Sequence, residues 1–120
     1  LGRFNRCTLK LKSFTGKNGG TFLVGHGSDI EMRISKLEGF QLVADLNYNA
    51  NFSSWLSIFE GNQVLGKLNN VSVFNTYGST ILSGEKGFYL DHESNLLGTS
   101  SYLLYKTNSD QLEQIEIPVG

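Results

Sequence analysis

One cysteine, one proline, one methionine and one tryptophan stand among 120 residues, and charged residues make up only 18%. The single thiol, Cys7, excludes an internal disulfide framework and any multi-cysteine zinc site. The low charge, set against 39% hydrophobic residues, excludes a charge-rich disordered tail and a coiled coil. No apolar run approaches the roughly 18 residues of a membrane-spanning helix. Nor is there a long 3.6-residue apolar stripe with caps. Only Ser109 to Gln114 offers a helical turn. Lysine and arginine total 10 against 11 acids, so a net charge of −1 gives no global basic field for nucleic acid as the main ligand.

What is present reads as β structure throughout one domain, residues 1–120. Cys7, Leu9 and Leu11 alternate with Thr8, Lys10 and Lys12, and Ile30, Met32 and Ile34 with Asp29, Glu31 and Arg33. Phe40, Leu42, Ala44, Leu46 and Tyr48 alternate with Gln41, Val43, Asp45, Asn47 and Asn49, and Ile115, Ile117 and Val119 with Glu116 and Pro118. A period of two sends one set to a core and the other to water. The expected core is therefore Leu9, Leu11, Ile30, Met32, Ile34, Leu42, Ala44, Leu46, Ile115 and Ile117. Trp55 to Phe59 and Tyr102 to Tyr105 are apolar on both faces and read as strands covered on both sides.

The chain holds 14 glycines. Glu60-Gly61-Asn62-Gln63 reads as a hairpin turn, and Lys17 to Gly20, Gly25 to Ser28 and Gly84 to Gly87 as similar breaks. The expected fold is an all-β sandwich or closed barrel of about ten short, mostly antiparallel strands. An echo at an offset of 59 pairs Gly19–Gly25 with Gly78–Gly84, and Ser35, Leu37 and Gly39 with Ser94, Leu96 and Gly98. All seven identities are Gly, Ser, Thr or Leu, so the echo is either chance similarity between two β-turn-β stretches or the outline of two similar halves, 1–60 and 61–120.

Reactive chemistry is sparse. Asp91-His92-Glu93 on a strand sends the imidazole away from both carboxylates, which does not converge on a metal. His26 sits between glycines beside Ser28 and Asp29, without the Gly-x-Ser-x-Gly elbow of a nucleophile. Gly16 to Gly20 lacks P-loop spacing. Cys7, with its alternating apolar neighbours, reads as a small core residue. No catalytic residue, metal or cofactor is assigned. Two N-x-[ST] sequons, at Asn51 and Asn70, are what chance supplies in a chain this rich in Asn, Ser and Thr.

Charge is distributed by position. Arg3, Arg6, Lys10, Lys12 and Lys17 occupy residues 1–28 without an acid, whereas Asp91, Glu93, Asp110, Glu113 and Glu116 face one base, Lys106, in residues 91–120. Two arrangements use this. First and last strands pair within one chain, or a basic end docks on the acidic end of a neighbouring subunit. In the second, the contact residues are Arg3, Arg6, Lys10 and Lys12 against Asp110, Glu113 and Glu116, with Arg3 and Arg6 on an arm preceding the first strand.

The expectation is a non-enzymatic structural or assembly protein that self-associates or joins the subunits of a larger particle. Its concrete form is a phage or viral virion component, a capsid decoration or tail protein. The alternative is a carbohydrate-binding module in which Phe52, Trp55 and Phe59 form a sugar platform. The chain begins at Leu1 and not Met, which fits a processed product, an excised fragment or a UUG start. Leu1 to Cys7 carries Arg3 and Arg6 with no apolar core after them, unlike a signal peptide. The expected location is a virion or extracellular particle, or otherwise a soluble state.

Overall fold

A computed structural model of the chain describes residues 1–77, 79–90, 94–97, 103–107 and 112–115, with side chains for 1–77, 79 and 94. The chain is all-β, as the alternation predicts, but it is not a sandwich or a barrel. It is a β-solenoid of about four turns built from two parallel sheets. One sheet orders β1 (Gly2–Asn5), β3 (Thr15–His26), β5 (Lys36–Asn47), β7 (Ile58–Leu68), β9 (Thr80–Leu90), β11 (Leu103–Thr107) and β12 (Leu112–Ile115). The other orders β10 (Asn95–Leu97), β8 (Val73–Asn75), β6 (Asn51–Trp55), β4 (Asp29–Arg33) and β2 (Thr8–Lys12). The chain passes from one sheet to the other and back, so each strand pairs with the strand one turn later. Among the described pairs only β11 with β12 is antiparallel.

Register fixes the period. Thr8 lies opposite Asp29, Asp29 opposite Asn51 and Asn51 opposite Val73, spacings of 21, 22 and 22 residues. Alternation cannot tell this fold from a barrel, because side chains point in and out with period two in both. The difference lies in the connections. A hairpin reverses the chain, whereas a solenoid corner only redirects it.

The corners are made by left-handed residues, one or two at each. Arg6 and Gly27 hold one corner, with φ of 49° and 59°. Ser13, Ile34 and Leu56 hold the next, at 50° to 54°. Asn18, Gly39 and Gly61 hold a third, inside the long strands. Glu60 to Gln63 is therefore no hairpin. Gly61 bends a strand that runs on to Leu68. Lys17 to Gly20 likewise lies within β3, whereas Gly25 to Ser28 does lead into a corner.

The extra residue of the later coils sits at the first corner. Arg6 and Gly27 turn alone, but Tyr48 with Asn49, and Asn70 with Val71, turn as left-handed pairs. The flanking registers hold: Asn5 lies opposite His26, and His26 opposite Asn47.

Inside, like stacks on like. Phe52 lies 4.8 Å from Phe74 with the rings stacked, the spacing of neighbouring strands. Leu9, Ile30, Phe52 and Phe74 form one column. Small residues make room for large ones. A Cβ on Gly19 would stand 2.9 Å from the Phe40 ring, and one on Gly25 would stand 3.1 Å from Ile30 Cδ1. Of the expected core, Ile30, Met32, Ala44 and Leu46 are buried, and Leu9, Leu11 and Leu42 are half-buried. Ile34 is 57% exposed because it holds a corner. The side chains of Ile115 and Ile117 lie outside the described residues. The rest of the buried core among the described residues includes Phe22, Leu23, Leu37, Val43, Phe52 and Phe59. Trp55 to Phe59 is not one strand: Leu56 turns the chain and is exposed, and Ser57 faces inward.

Two columns of inward serines close the corners. The Ser35 hydroxyl accepts from the Phe14 N–H, the Ser57 hydroxyl from Ser35 N–H and the Ser79 hydroxyl from Ser57 N–H. In the other column Ser28 accepts from Cys7 N–H and Ser94 from Ser72 N–H, with Ala50 between them. Each hydroxyl satisfies an amide that the turning backbone withdraws from the sheet ladder. Cys7 stands in this column but on the outermost coil, and is exposed rather than core. At the third corner Asn62 does the same with an amide, accepting from Phe40 N–H and donating to the Leu37 carbonyl.

Candidate functional site

Among the described strands the first coil is the outermost. β1 and β2 are the outermost strands of their sheets, so each presents an edge of backbone N–H and C=O groups that no described strand pairs. Beside these edges Phe4, Leu9, Leu11 and Phe14 are only partly buried against the core. Phe14 takes the corner position that serines hold in later coils, and its ring lies 5.6 Å from Phe22. An apolar end is thus rimmed by cations, since Arg3, Arg6, Lys10 and Lys12 are all exposed.

Arg3 and Arg6 are not on an arm ahead of the first strand. Arg3 belongs to β1, opposite Val24, and Arg6 N–H donates to the His26 carbonyl at the corner. Nor do the first and last strands pair, because β1 and β12 lie at opposite edges of the longer sheet. Glu113 lies on β12, opposite Tyr105. Asp110 and Glu116 fall outside the described residues, as do Asp91, His92 and Glu93.

Trp55 stands on the outer face of the shorter sheet in a column with Lys12, Arg33 and Tyr77. Its ring lies 4.8 Å from Tyr77, and the Arg33 guanidinium sits 5.2 Å from its centroid. These neighbours take up the ring faces that a sugar would need. Phe52 and Phe59 are fully buried and belong to the core, not to a platform with Trp55. A shallow groove of about 250 Å³ beside Trp55 includes Asp29 and Glu31. Asp29 is held by Asn51, and Glu31 by Arg33.

Ser28 does not turn toward the His26 ring as a nucleophile. It is buried, donates to the Phe4 and His26 carbonyls and accepts from Cys7 N–H. The imidazole instead meets Tyr48 edge-on at 5.8 Å, in a cleft that the sequence does not single out. A charge ladder completes the surface. Lys36 lies 2.9 Å from Glu60 and 4.0 Å from Glu38, which are ladder neighbours. The hydrogen bond and charge of Glu60 hold the Lys36 amine above its ordinary 10.5.

Among the described residues no helix is long and apolar enough to cross a membrane. Compared with protein-family models, curated proteins and solved structures, the chain matches none.

Proposed function

We propose that this chain is a non-enzymatic structural and assembly protein, with the first coil as its docking end and a second copy as the occupant. One observation carries the reading: β1 and β2 form an edge that no described strand pairs, fronted by half-buried Phe4, Leu9, Leu11 and Phe14 and rimmed by Arg3, Arg6, Lys10 and Lys12. A copy that adds its last coil continues both ladders and covers that apolar end. The acidic residues Asp110, Glu113 and Glu116 of the C-terminal third supply the opposite sign. Exposed ion pairs contribute little each, so apolar area gives affinity while charge sets orientation and encounter rate. A head-to-tail contact of this kind repeats, closing a ring or building a filament. A phage or viral particle, with this chain as a decoration or tail component, is the concrete setting, supported by its β content.

Light scattering across protein concentration, at low and high salt, tests the proposal. Concentration-dependent oligomers are expected, forming more slowly with Arg3→Glu and Arg6→Glu combined. A monomer under all conditions overturns self-assembly. Oligomers indifferent to the double substitution overturn the charged contact.

A further inference from the structure

The first corner carries a second feature, which does not rest on the assembly reading. Asn5, Arg6, His26, Gly27, Tyr48 and Asn49 line a cleft of about 630 Å³. That lies within the ~300–1,000 Å³ usual for small-ligand sites. We propose that this cleft binds an anionic sugar unit, with Arg6 on its carboxylate, the Asn5 and Asn49 amides on its hydroxyls and the Tyr48 ring against its apolar face.

The cleft follows from the change in coil length. Coils one and two turn this corner on a single residue, Arg6 and then Gly27, whereas coil three uses the pair Tyr48 and Asn49. The added residue pushes Tyr48 outward, where it is 62% exposed. Gly27, between them, has no side chain to fill the step. A Cβ there would stand 3.3 Å from the Tyr48 carbonyl oxygen and 3.5 Å from Arg6 Cγ. Gly27 therefore forms a floor, with Arg6 as one wall and Tyr48 and Asn49 as the other. His26 packs edge-on against Tyr48 and orients its ring.

The lining chemistry selects the ligand class. No carboxylate lines the cleft, and among the described residues Arg6 has no ion-pair partner. A guanidinium offers a planar fork that fits a carboxylate. Each asparagine amide presents a donor and an acceptor together, the pattern that vicinal hydroxyls require. An exposed aromatic face suits the C–H face of a pyranose. Inorganic phosphate would use the cation and the amide N–H donors but leave the amide carbonyls and the ring without a partner. A neutral sugar would accept from the guanidinium but forgo its charge.

Amide-resolved NMR titration of the full chain with glucuronate, glucose and inorganic phosphate tests the assignment, at protein concentrations below any association. Glucuronate is expected to shift the amides of Arg6, Gly27 and Asn49 with a dissociation constant of about a millimolar, as befits a single exposed sugar. Glucose and phosphate should each bind at least about tenfold more weakly. Arg6→Asn keeps a residue that tolerates the left-handed corner, and should weaken glucuronate by about tenfold or more. Tyr48→Asn should weaken it severalfold on the same grounds, and Lys17→Gln, away from the cleft, should leave it unchanged. Circular dichroism checks that each variant stays folded. Phosphate binding as tight as glucuronate would overturn the sugar, and equal glucose binding would overturn the anion. Absent shifts, or shifts unaltered in folded Arg6→Asn, would overturn the site. Because assembly is read by scattering, failure here leaves that proposal standing.

Discussion

Asn62 offers the sharpest test of how the corners are held. Its side chain is 1% exposed and makes two bonds across coils, accepting from Phe40 N–H at 2.9 Å and donating to the Leu37 carbonyl at 3.1 Å. Asn62→Ala leaves the buried Phe40 N–H without its partner and takes from the buried Leu37 carbonyl the donor that supplements its place in the β5–β7 ladder. An orphaned buried group costs about 1–3 kcal/mol, so the two losses together should cost about 3 kcal/mol. That is a large part of the ~5–15 kcal/mol that holds a domain folded. With a urea slope of about 1.5 kcal/mol per molar, the midpoint should fall by about 2 M. Asn62→Asp separates the two bonds. Its carboxylate can still accept from Phe40 but repels the Leu37 carbonyl, and protonation restores a donor. Burial and that carbonyl raise the folded-state pKa of the new group above the ~3.9 of an unfolded aspartate. The penalty is therefore smallest below the unfolded value and grows as pH rises through the folded one. Urea denaturation at pH 4 and pH 7 measures both effects. An Asn62→Ala loss below about 0.5 kcal/mol, or an Asp variant no worse at pH 7 than at pH 4, would refute the bridging role.

Three further outcomes follow from the same geometry. Ser57→Ala removes the acceptor of Ser35 N–H and the donor to the Trp55 carbonyl, and should lower stability by about 1–3 kcal/mol, seen as a melting temperature several degrees lower. Ile34 is β-branched, exposed and held at φ 50°. Ile34→Asn should stabilise by about 1 kcal/mol by relieving a left-handed backbone, and a lower melting temperature would contradict that corner. Lys36 has its folded pKa raised by Glu60, so its contribution is complete below the unfolded value of 10.5 and is lost as pH climbs through the folded one. Glu60→Gln should flatten that high-pH decline in denaturation curves, and an unchanged profile would argue against the pairing.

The strands were legible in the sequence, but their partners were not. Ile30, Met32, Ala44 and Leu46 face inward as their alternation requires. That alternation is silent on whether a neighbour runs parallel or antiparallel. Of the four breaks read from glycine and asparagine, only Gly25 to Ser28 leads into a corner between strands, whereas Lys17 to Gly20, Glu60 to Gln63 and Gly84 to Gly87 lie inside β3, β7 and β9. The turn period was obscured because most interior columns mix residue types, as Leu9, Ile30, Phe52 and Phe74 do. The corner serines carried it in plain view: Ser35, Ser57 and Ser79 are 22 apart, as are Ser72 and Ser94. The offset of 59 is not a multiple of this spacing, and the ladders pair Gly19 with Phe40 and Asn62 with Gly84. Ile34 and Val71 hid two corners, since β-branched residues rarely take left-handed backbone. The cation-rich start of the chain was readable as an exposed basic segment, and Arg3, Arg6, Lys10 and Lys12 are exposed. Its place on the outermost described coil depended on long-range strand order.

Amide hydrogen exchange across a concentration series tests the central claim, that the first coil is where copies meet. Raising the concentration should slow exchange at the amides of β1 and β2, while the amides of β4 and β6, which are paired on both sides, stay unchanged. Exchange at β1 and β2 that does not change with concentration while oligomers form would contradict the account.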